Sequence, residues 1–285
     1  MKQAVNKPGV LVPQMGISYP DDPFERLVHV EQEDSEKGRY HFDDTYPYLD
    51  TSFEYKLNQF GGFFVKWLLV NPFVNRLFLG LKIEGRKNLK KNKKALAGGM
   101  VAVCNHVFFS DALIANRAVL PYRRIHIPMF AKHFNGSMSW FLRAMGGVPI
   151  PESPSGVRGF NEAFDTFHKR GESILVFPEA VRWNWYQPIR PFRKGAFTMA
   201  WRFGAPVVPL VITFRERKGL YRLFGPKKTP CLTVHVGEPI IINKDNPRKV
   251  EVERLREEAH RQMVSMAGIL ENPWPTVPED EKINP

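Results

Sequence analysis

The sequence predicts an α/β protein: a mixed β-sheet flanked by helices, with an N-terminal pair of interfacial helices. Two observations carry this prediction. Of the 285 residues, 43% are hydrophobic, which is enough to build a sizeable core. From residue 99 onward, short apolar runs alternate with amphipathic segments of helical length. That alternation is typical of buried strands connected by helices that cover the sheet.

Residues 1–52 are predicted to form an extended acidic arm. They carry ten acidic and five basic side chains and show neither helical nor strand periodicity. Since the whole chain has a net charge of +12, the rest of it carries +17. A field of that sign favours an anionic partner, which could be nucleic acid, an anionic membrane surface, a phosphorylated substrate or an acidic carrier protein.

Residues 53–82 are predicted to form membrane-interfacial helices. The segment is dense in Phe, Leu, Val and Trp, and Pro72 is expected to divide it into two helical pieces. A basic run follows that would face anionic headgroups: Lys82, Arg86, Lys87, Lys90, Lys91, Lys93 and Lys94. A buried core hairpin with a solvated loop is the alternative. Charges and Pro72 interrupt the apolar stretch before it reaches the length of a membrane span.

Residues 83–245 are predicted to form the α/β domain. The predicted strands are Gly99 to Cys104, Ile125 to Phe130, Gly147 to Ile150, Ser173 to Phe177, Pro206 to Thr213 and Cys231 to Val236. The predicted helices are Asp111 to Val119, Ser137 to Met145, Gly156 to Arg170 and Gly195 to Phe203.

Residues 246–285 are predicted to form a last helix and a poorly ordered tail. Asn246 and Pro247 precede an apolar stripe at helical spacing, namely Leu255, Ala259, Met263, Met266 and Leu270. The residues from Glu271 to Pro285 are Pro-rich and polar.

A histidine follows the first predicted strand of the domain. His106 lies in a strand-to-helix loop, and Asp111 opens the next helix five residues later. A carboxylate bonded to one ring nitrogen would leave the other nitrogen free to act as a general base. Taken alone the pair is a weak signal, because a satisfied histidine beside a helix N-terminal carboxylate gives the same pattern. No metal ligand set with recognisable spacing surrounds His106, and the chain has only two cysteines.

Two further clusters place charged residues at predicted strand and helix ends. Glu179 and Arg182 follow the strand that ends at Phe177, and Lys194 and Gly195 open a helix whose N-terminal N–H groups favour an anion. Individually, each of these charges could equally belong to a surface ion pair.

Four motifs in this order resemble the glycerophospholipid acyltransferase family: NHVFFSD, FPEAVR, PFRKGAF and APVVPLVI. The resemblance covers about residues 80 to 240. It implies that His106 and Asp111 are catalytic and that Glu179, Arg182, Lys194 and Gly195 bind substrate. The family has Gly-Thr where this chain has Ala180 and Val181. It also has an Arg at the end of its second block, where this chain reads GGVPIPE, and Arg158 is the proposed replacement.

The resemblance implies an O-acyltransferase without a cofactor or a metal. Its partners would be an acyl-CoA or acyl carrier protein thioester, a lysophospholipid such as 1-acyl-glycerol-3-phosphate, and an anionic membrane surface, with no nucleic acid. Because the first twenty residues lack an apolar signal region, we expect the protein in the cytoplasm at the inner face of the cell membrane. The alternatives are an acyltransferase for another lipid acceptor, a catalytically idle lipid-binding protein, and a basic nucleic-acid-binding module.

Overall fold

A mixed sheet of seven strands is the centre of the protein in the computed structural model, which describes residues 2–27, 42–121, 123–137, 139–224, 229–278 and 281. In chain order the elements are β1 (Val5–Asn6), α1 (Phe53–Val65), β2 (Lys82–Glu84), α2 (Arg86–Lys91), β3 (Val101–Cys104), α3 (Asp111–Val119), β4 (Ile125–Phe130), α4 (Ser139–Ala144), β5 (Gly147–Ile150), α5 (Pro154–Lys169), β6 (Ser173–Val176), α6 (Gly195–Phe203), β7 (Val207–Arg215), β8 (Cys231–Val236), α7 (Arg248–Met266) and β9 (Ile269–Glu271).

The strand order in the sheet is β2-β8-β7-β3-β6-β4-β5. All neighbours are parallel except β7 and β8, which are joined as an antiparallel hairpin. The strands β3 to β7 therefore all end at the same edge of the sheet, which we term the C-terminal edge. In such sheets the loops at this edge are the usual place for a ligand.

Helices cover both faces of the sheet. On one face α3 packs through Ile114, Ala115 and Ala118 against the sheet residues Ala102 and Leu210. The other face is covered by α5, α6 and α7, whose buried apolar residues form the second core cluster: Ala163, Phe164, Phe167, Ala196, Phe197, Ala200, Val252, Leu255, Ala259 and Met263. This is the three-layer α/β architecture that the alternating sequence pattern predicts.

The predicted α/β fold is confirmed, and most of its boundaries agree with the structure to within two residues. The sequence pattern missed β2 and α2, which are short, and the β1–β9 pair. In the apolar stripe of α7, Leu255, Ala259 and Met263 are fully buried as predicted, while Leu270 lies exposed in β9.

The apolar segment before the domain forms one continuous helical run. Its α-helical part, α1, passes at Lys66 into a π-helical part, Lys66–Phe78, that contains Pro72. The sequence predicts a division at Pro72, but the two parts meet at residue 66. No helix of the described residues is both long and apolar enough to cross a membrane.

Both ends of the chain pack on the body. β1 near the N-terminus pairs with β9 near the C-terminus, and the indole of Trp274 is buried and donates to the Tyr186 hydroxyl over 2.8 Å. The prediction of a poorly ordered tail from Glu271 onward is therefore wrong for residues 271–278, because an apolar indole can be buried even in a Pro-rich segment. Of the predicted extended arm, residues 28–41 lie outside the described residues.

Candidate active site

The loop after β3 is held at the C-terminal edge by the side chain of Asn105. Its amide donates to the Ile212 carbonyl over 3.0 Å and accepts from the Ile212 N–H over 2.8 Å. The side chain thus continues the pairing of β3 with β7 beyond Cys104, where the backbone ladder ends. His106 is in this way fixed directly above the end of the central strand. Sequence reasoning missed Asn105, although its position before the histidine was visible.

His106 and Asp111 form a directed pair. The Nδ1 atom of His106 lies 2.9 Å from Oδ2 of Asp111, and the ring stacks on Phe177 with 4.3 Å between the ring centroids. An ionised carboxylate only accepts hydrogen bonds, so Nδ1–H is the donor and Nε2 carries the lone pair. The His106 side chain is partly exposed and Asp111 is buried. This arrangement can act as a general base toward a group that reaches Nε2.

Asp111 also organises the loop that carries the histidine. Its Oδ2 atom accepts the backbone N–H groups of Val107 and Phe108 over 2.7 and 3.0 Å, and its Oδ1 atom has no partner among the described residues. Burial raises the pKa of the Asp111 carboxyl, while the bonds from His106, Phe108 and Val107 oppose that rise. An imidazolium at His106 would lower the cost of this buried charge.

Glu179 supports the same loop from the other side. It is buried, accepts the His106 backbone N–H at Oε2 over 3.0 Å, and accepts the Arg190 backbone N–H at Oε1 over 3.0 Å. The prediction that Glu179 contacts the acceptor headgroup is therefore corrected: both its oxygens are used inside the protein. These contacts also remove the backbone N–H groups of residues 106–108 from the possible oxyanion donors, because each of them already donates to a carboxylate.

Arg190 is the buried partner of Glu179. Their side chains are each 1% exposed and lie 3.0 Å apart, and the guanidinium also donates to the carbonyls of Pro23 and Val181 and lies 4.4 Å from the Trp183 ring centroid. A buried charge pair of this kind is stable only when both partners are present. Sequence reasoning missed Arg190, because no motif or spacing links it to Glu179.

Ala180 has a left-handed backbone conformation, with φ of +65°. The acyltransferase motif that FPEAVR resembles has Gly at this position. Ala180 lies in the turn that brings Glu179 under His106. In this conformation the Cβ of a non-glycine residue lies too close to the backbone, which costs about 1–2 kcal/mol of conformational energy. The turn that glycine would favour is thus kept in this chain in spite of the substitution.

We expect Ala180→Gly to stabilise the protein by up to about 1 kcal/mol, because the relief of backbone strain exceeds the added entropy of the unfolded chain. Urea unfolding of the two proteins measures this difference. Gly156, which has no positive φ, provides the contrast: a Cβ there would lie 2.5 Å from the Phe42 carbonyl oxygen, so Gly156→Ala should destabilise. An Ala180→Gly variant less stable than the wild type would contradict the strain argument.

Positive charge gathers beside His106. Partial burial and the charges of Lys132, Arg182, Arg26 and His106 lower the pKa of His133 to about 4. Lys132 and His133 lie in the 3₁₀ turn Ala131–Phe134 that follows β4. Since β4 ends at the same edge as β3, and the Trp183 N–H donates to the His106 carbonyl over 3.0 Å, this turn and Arg182 both lie at the edge that carries the histidine. The structure thus places Arg182 next to the His106 loop, and its charge acts on His133 together with those of Lys132 and Arg26, two residues that sequence reasoning missed.

The remaining predicted residues lie further out. Lys194 and Gly195 are exposed at the N-terminus of α6, joined to the Glu179 turn by the Arg193 N–H that donates to the Pro178 carbonyl over 2.8 Å. Arg158 lies on α5, its side chain 87% exposed and 2.9 Å from Glu162. α5 follows β5, which is three strands, or about 14 Å, from β3. Arg158 is thus exposed and already paired, and its role as the replacement for the family arginine stays a prediction.

The acyltransferase family model matches residues 80–213, the part of the chain that carries the His106–Asp111 pair and the Glu179 turn. A 1-acyl-sn-glycerol-3-phosphate acyltransferase of Saccharomyces cerevisiae is 25% identical over 206 residues, which are 70% of this chain and 65% of the yeast protein. Over residues 80–213 the chain is similar to the acyltransferase family, in agreement with the resemblance of its motifs to the glycerophospholipid acyltransferases.

Two further comparisons show how far the similarity extends. An uncharacterized acyltransferase of Schizosaccharomyces pombe is 30% identical over 134 residues, 46% of each chain. The crystal structure of the 1-acyl-sn-glycerophosphate acyltransferase PlsC from Thermotoga maritima has a TM-score of 0.48 and 21% identity, covering 77% of this chain and 84% of that one. This chain thus spans less than two thirds of the length of its yeast and fission-yeast relatives.

Proposed function

We propose that the protein is an O-acyltransferase that moves a fatty acyl group from a thioester to the hydroxyl of a lysophospholipid, with 1-acyl-glycerol-3-phosphate as acceptor and phosphatidic acid as product. The single observation that carries this proposal is the His106–Asp111 pair, in which Nδ1 of a partly exposed imidazole is bonded to a buried carboxylate. The similarity of residues 80–213 to the acyltransferase family supports the type of reaction.

In the proposed reaction Nε2 of His106 takes the proton of the acceptor hydroxyl while the hydroxyl oxygen attacks the thioester carbonyl carbon. Asp111 stabilises the resulting imidazolium through Nδ1–H. The tetrahedral intermediate then collapses, the carbon–sulfur bond breaks, and the imidazolium returns its proton to the leaving thiolate. The products are an ester and a free thiol, and no covalent acyl-enzyme forms.

The cations beside His106 support an acceptor with a phosphate. Arg182 and Lys132 both lie close enough to His133 to lower its pKa. Among the described residues no carboxylate lies within ion-pair distance of either side chain. A phosphate at this place would be held next to the general base, with its glycerol hydroxyl within reach of Nε2. The donor can be acyl-CoA or an acyl carrier protein thioester, since both are anionic.

The helical run of residues 53–78 supports contact with a membrane, because its polarity is inverted. Lys66, Asn71 and Asn75 face the body and are buried, and the Lys66 ammonium donates to Oδ1 of Asn116 over 2.6 Å. The exposed side chains are the apolar ones: Phe53, Leu57, Phe60, Phe64, Val65, Leu68, Leu69, Phe73, Val74 and Phe78. An apolar surface of this extent on a helix fits a lipid interface, and exposed lysines between residues 87 and 94 continue it.

We expect the double variant Phe60→Glu/Phe64→Glu to bind anionic phospholipid vesicles about 100-fold more weakly than the wild type, because two inserted rings are lost and two repelled charges are gained. Vesicle co-sedimentation measures the change. Val157→Glu/Val250→Glu is the control, since these side chains are also apolar and exposed but lie on α5 and α7. Equal loss of binding in both double variants would contradict the assignment of the helix to the lipid surface.

The function is tested with purified protein, acyl-CoA or acyl carrier protein thioester, and three acceptors: lysophosphatidic acid, monoacylglycerol and glycerol 3-phosphate. Thiol release is followed together with the lipid product. Release that requires lysophosphatidic acid and yields phosphatidic acid supports the proposal. Thiol release with another acceptor would support acyl transfer as the reaction but would identify a different acceptor as the substrate. No release with any pair would favour a catalytically idle lipid-binding protein.

A further inference from the structure

The N-terminal arm is fastened to the loop that carries Arg182. The Trp183 indole N–H donates to the Glu25 carbonyl over 2.8 Å, and the Arg190 guanidinium donates to the Pro23 carbonyl over 2.7 Å. Leu27 is buried in one cluster with Val181 and Trp183. Residues on both sides of Arg26 are thus held against the loop, so the position of its backbone is fixed.

The side chain of Arg26 reaches across to the other wall of the site. Its guanidinium carbon lies 4.9 Å from the centroid of the Phe130 ring, and Phe130 is the last residue of β4, directly before the turn with Lys132 and His133. Arg26 therefore lies between the Arg182 loop and the Lys132 turn. Its charge also acts on His133, as do those of Lys132 and Arg182.

Three separate segments bring their cations together here, namely the arm, the Arg182 loop and the Lys132 turn. In the described part of the chain, no carboxylate lies within ion-pair distance of Arg26, Lys132 or Arg182. Like charges repel one another, and such a cluster in a folded protein is the usual arrangement for binding an anion. The arm is acidic overall, so a cation from it at this point is a local exception to its charge.

We infer that Arg26 is a specificity-determining residue, by which the N-terminal arm supplies a cation to the phosphate subsite of the acceptor. The inference rests on the proposed function and deepens it. Arg26 would thereby supply a cation for the acceptor phosphate in place of the arginine that is missing at the end of the GGVPIPE segment. In this role Arg26 binds the phosphate of the substrate and takes no part in proton transfer.

Kinetics with Arg26→Gln test the inference. Loss of one charge-assisted bond to phosphate should raise KM for lysophosphatidic acid about tenfold, with kcat and the KM of the acyl donor changed less than about threefold. Arg26→Lys should recover much of the loss. Arg261→Gln is the matched control, an exposed arginine on α7 paired with Glu258. An Arg26→Gln variant with a KM within twofold of the wild type would overturn the inference.

A binding experiment separates failure of this inference from failure of the proposed function. In the His106→Ala background, which removes turnover, glycerol 3-phosphate is titrated while the imidazole resonances of His133 are followed by NMR. We expect the pKa of His133 to rise on binding, because the phosphate offsets the surrounding cations, and Arg26→Gln to weaken binding about tenfold. Absence of binding, or equal binding in the variant, would refute the role of Arg26 whatever the enzyme acylates.

Discussion

Replacing His106 by alanine should lower the turnover of acyl transfer by about 10²- to 10⁴-fold, the range for loss of a positioned general base. The imidazole contributes nothing else that the reaction needs: it lies at the surface of the loop, and its backbone N–H bond to Glu179 survives the substitution. The rate of thiol release with saturating donor and acceptor measures the effect.

Folding is the control for this variant. The His106 side chain is partly exposed, and Asp111 keeps two backbone N–H donors after it is removed, so the melting temperature should change by only a few degrees. Turnover near that of the wild type in a folded His106→Ala protein would exclude the proposed mechanism.

Arg190→Met should destabilise the protein by about 3–5 kcal/mol. Methionine fills a similar volume but leaves the buried Glu179 carboxylate without its countercharge and leaves the Val181 and Pro23 carbonyls without a donor. Because Glu179 also holds the His106 backbone, activity should fall along with stability. Chemical unfolding measures the first effect and thiol release the second.

The control is an ion pair of similar geometry in a different environment. Arg202 and Asp165 lie 2.5 Å apart with about two fifths of each side chain exposed, and an exposed pair contributes about 0–1 kcal/mol. Arg202→Met should therefore cost at most about 1 kcal/mol. Similar losses for Arg190→Met and Arg202→Met would mean that burial of the Glu179 pair does not determine its strength.

Local pattern was sufficient to predict the framework and to bring His106 and Asp111 together as a candidate pair, while the catalytic role of the pair came from the resemblance to a family. The strands of the sheet are short apolar runs, and periodicity detects such runs because burial on both faces demands apolar residues at every position. The His106–Asp111 pair lies within one strand-to-helix loop, so sequence proximity and spatial proximity coincide. The break expected at Pro72 did not occur, since the helix had already adopted the wider π-helical bonding from Lys66.

Contacts between distant segments could not be predicted in the same way. Glu179 lies in a motif, but sequence gives no sign that it is buried under His106, 73 residues earlier in the chain. Arg26 reaches the Lys132 turn from the opposite end of the fold, and its acidic surroundings give no hint of a substrate contact. Arg158, chosen by nearness in sequence to the missing arginine, is exposed on α5 and paired there with Glu162.

The central claim is that His106 and Asp111 act as one unit, and a double-mutant cycle on kcat tests it most directly. Wild type, His106→Ala, Asp111→Asn and the double variant are compared for thiol release at saturating substrates. Without the base the carboxylate has nothing to orient, so the double variant should be about as slow as His106→Ala alone. If the fold-losses in kcat of the two single variants multiply in the double variant, the two residues act independently and the claim is contradicted.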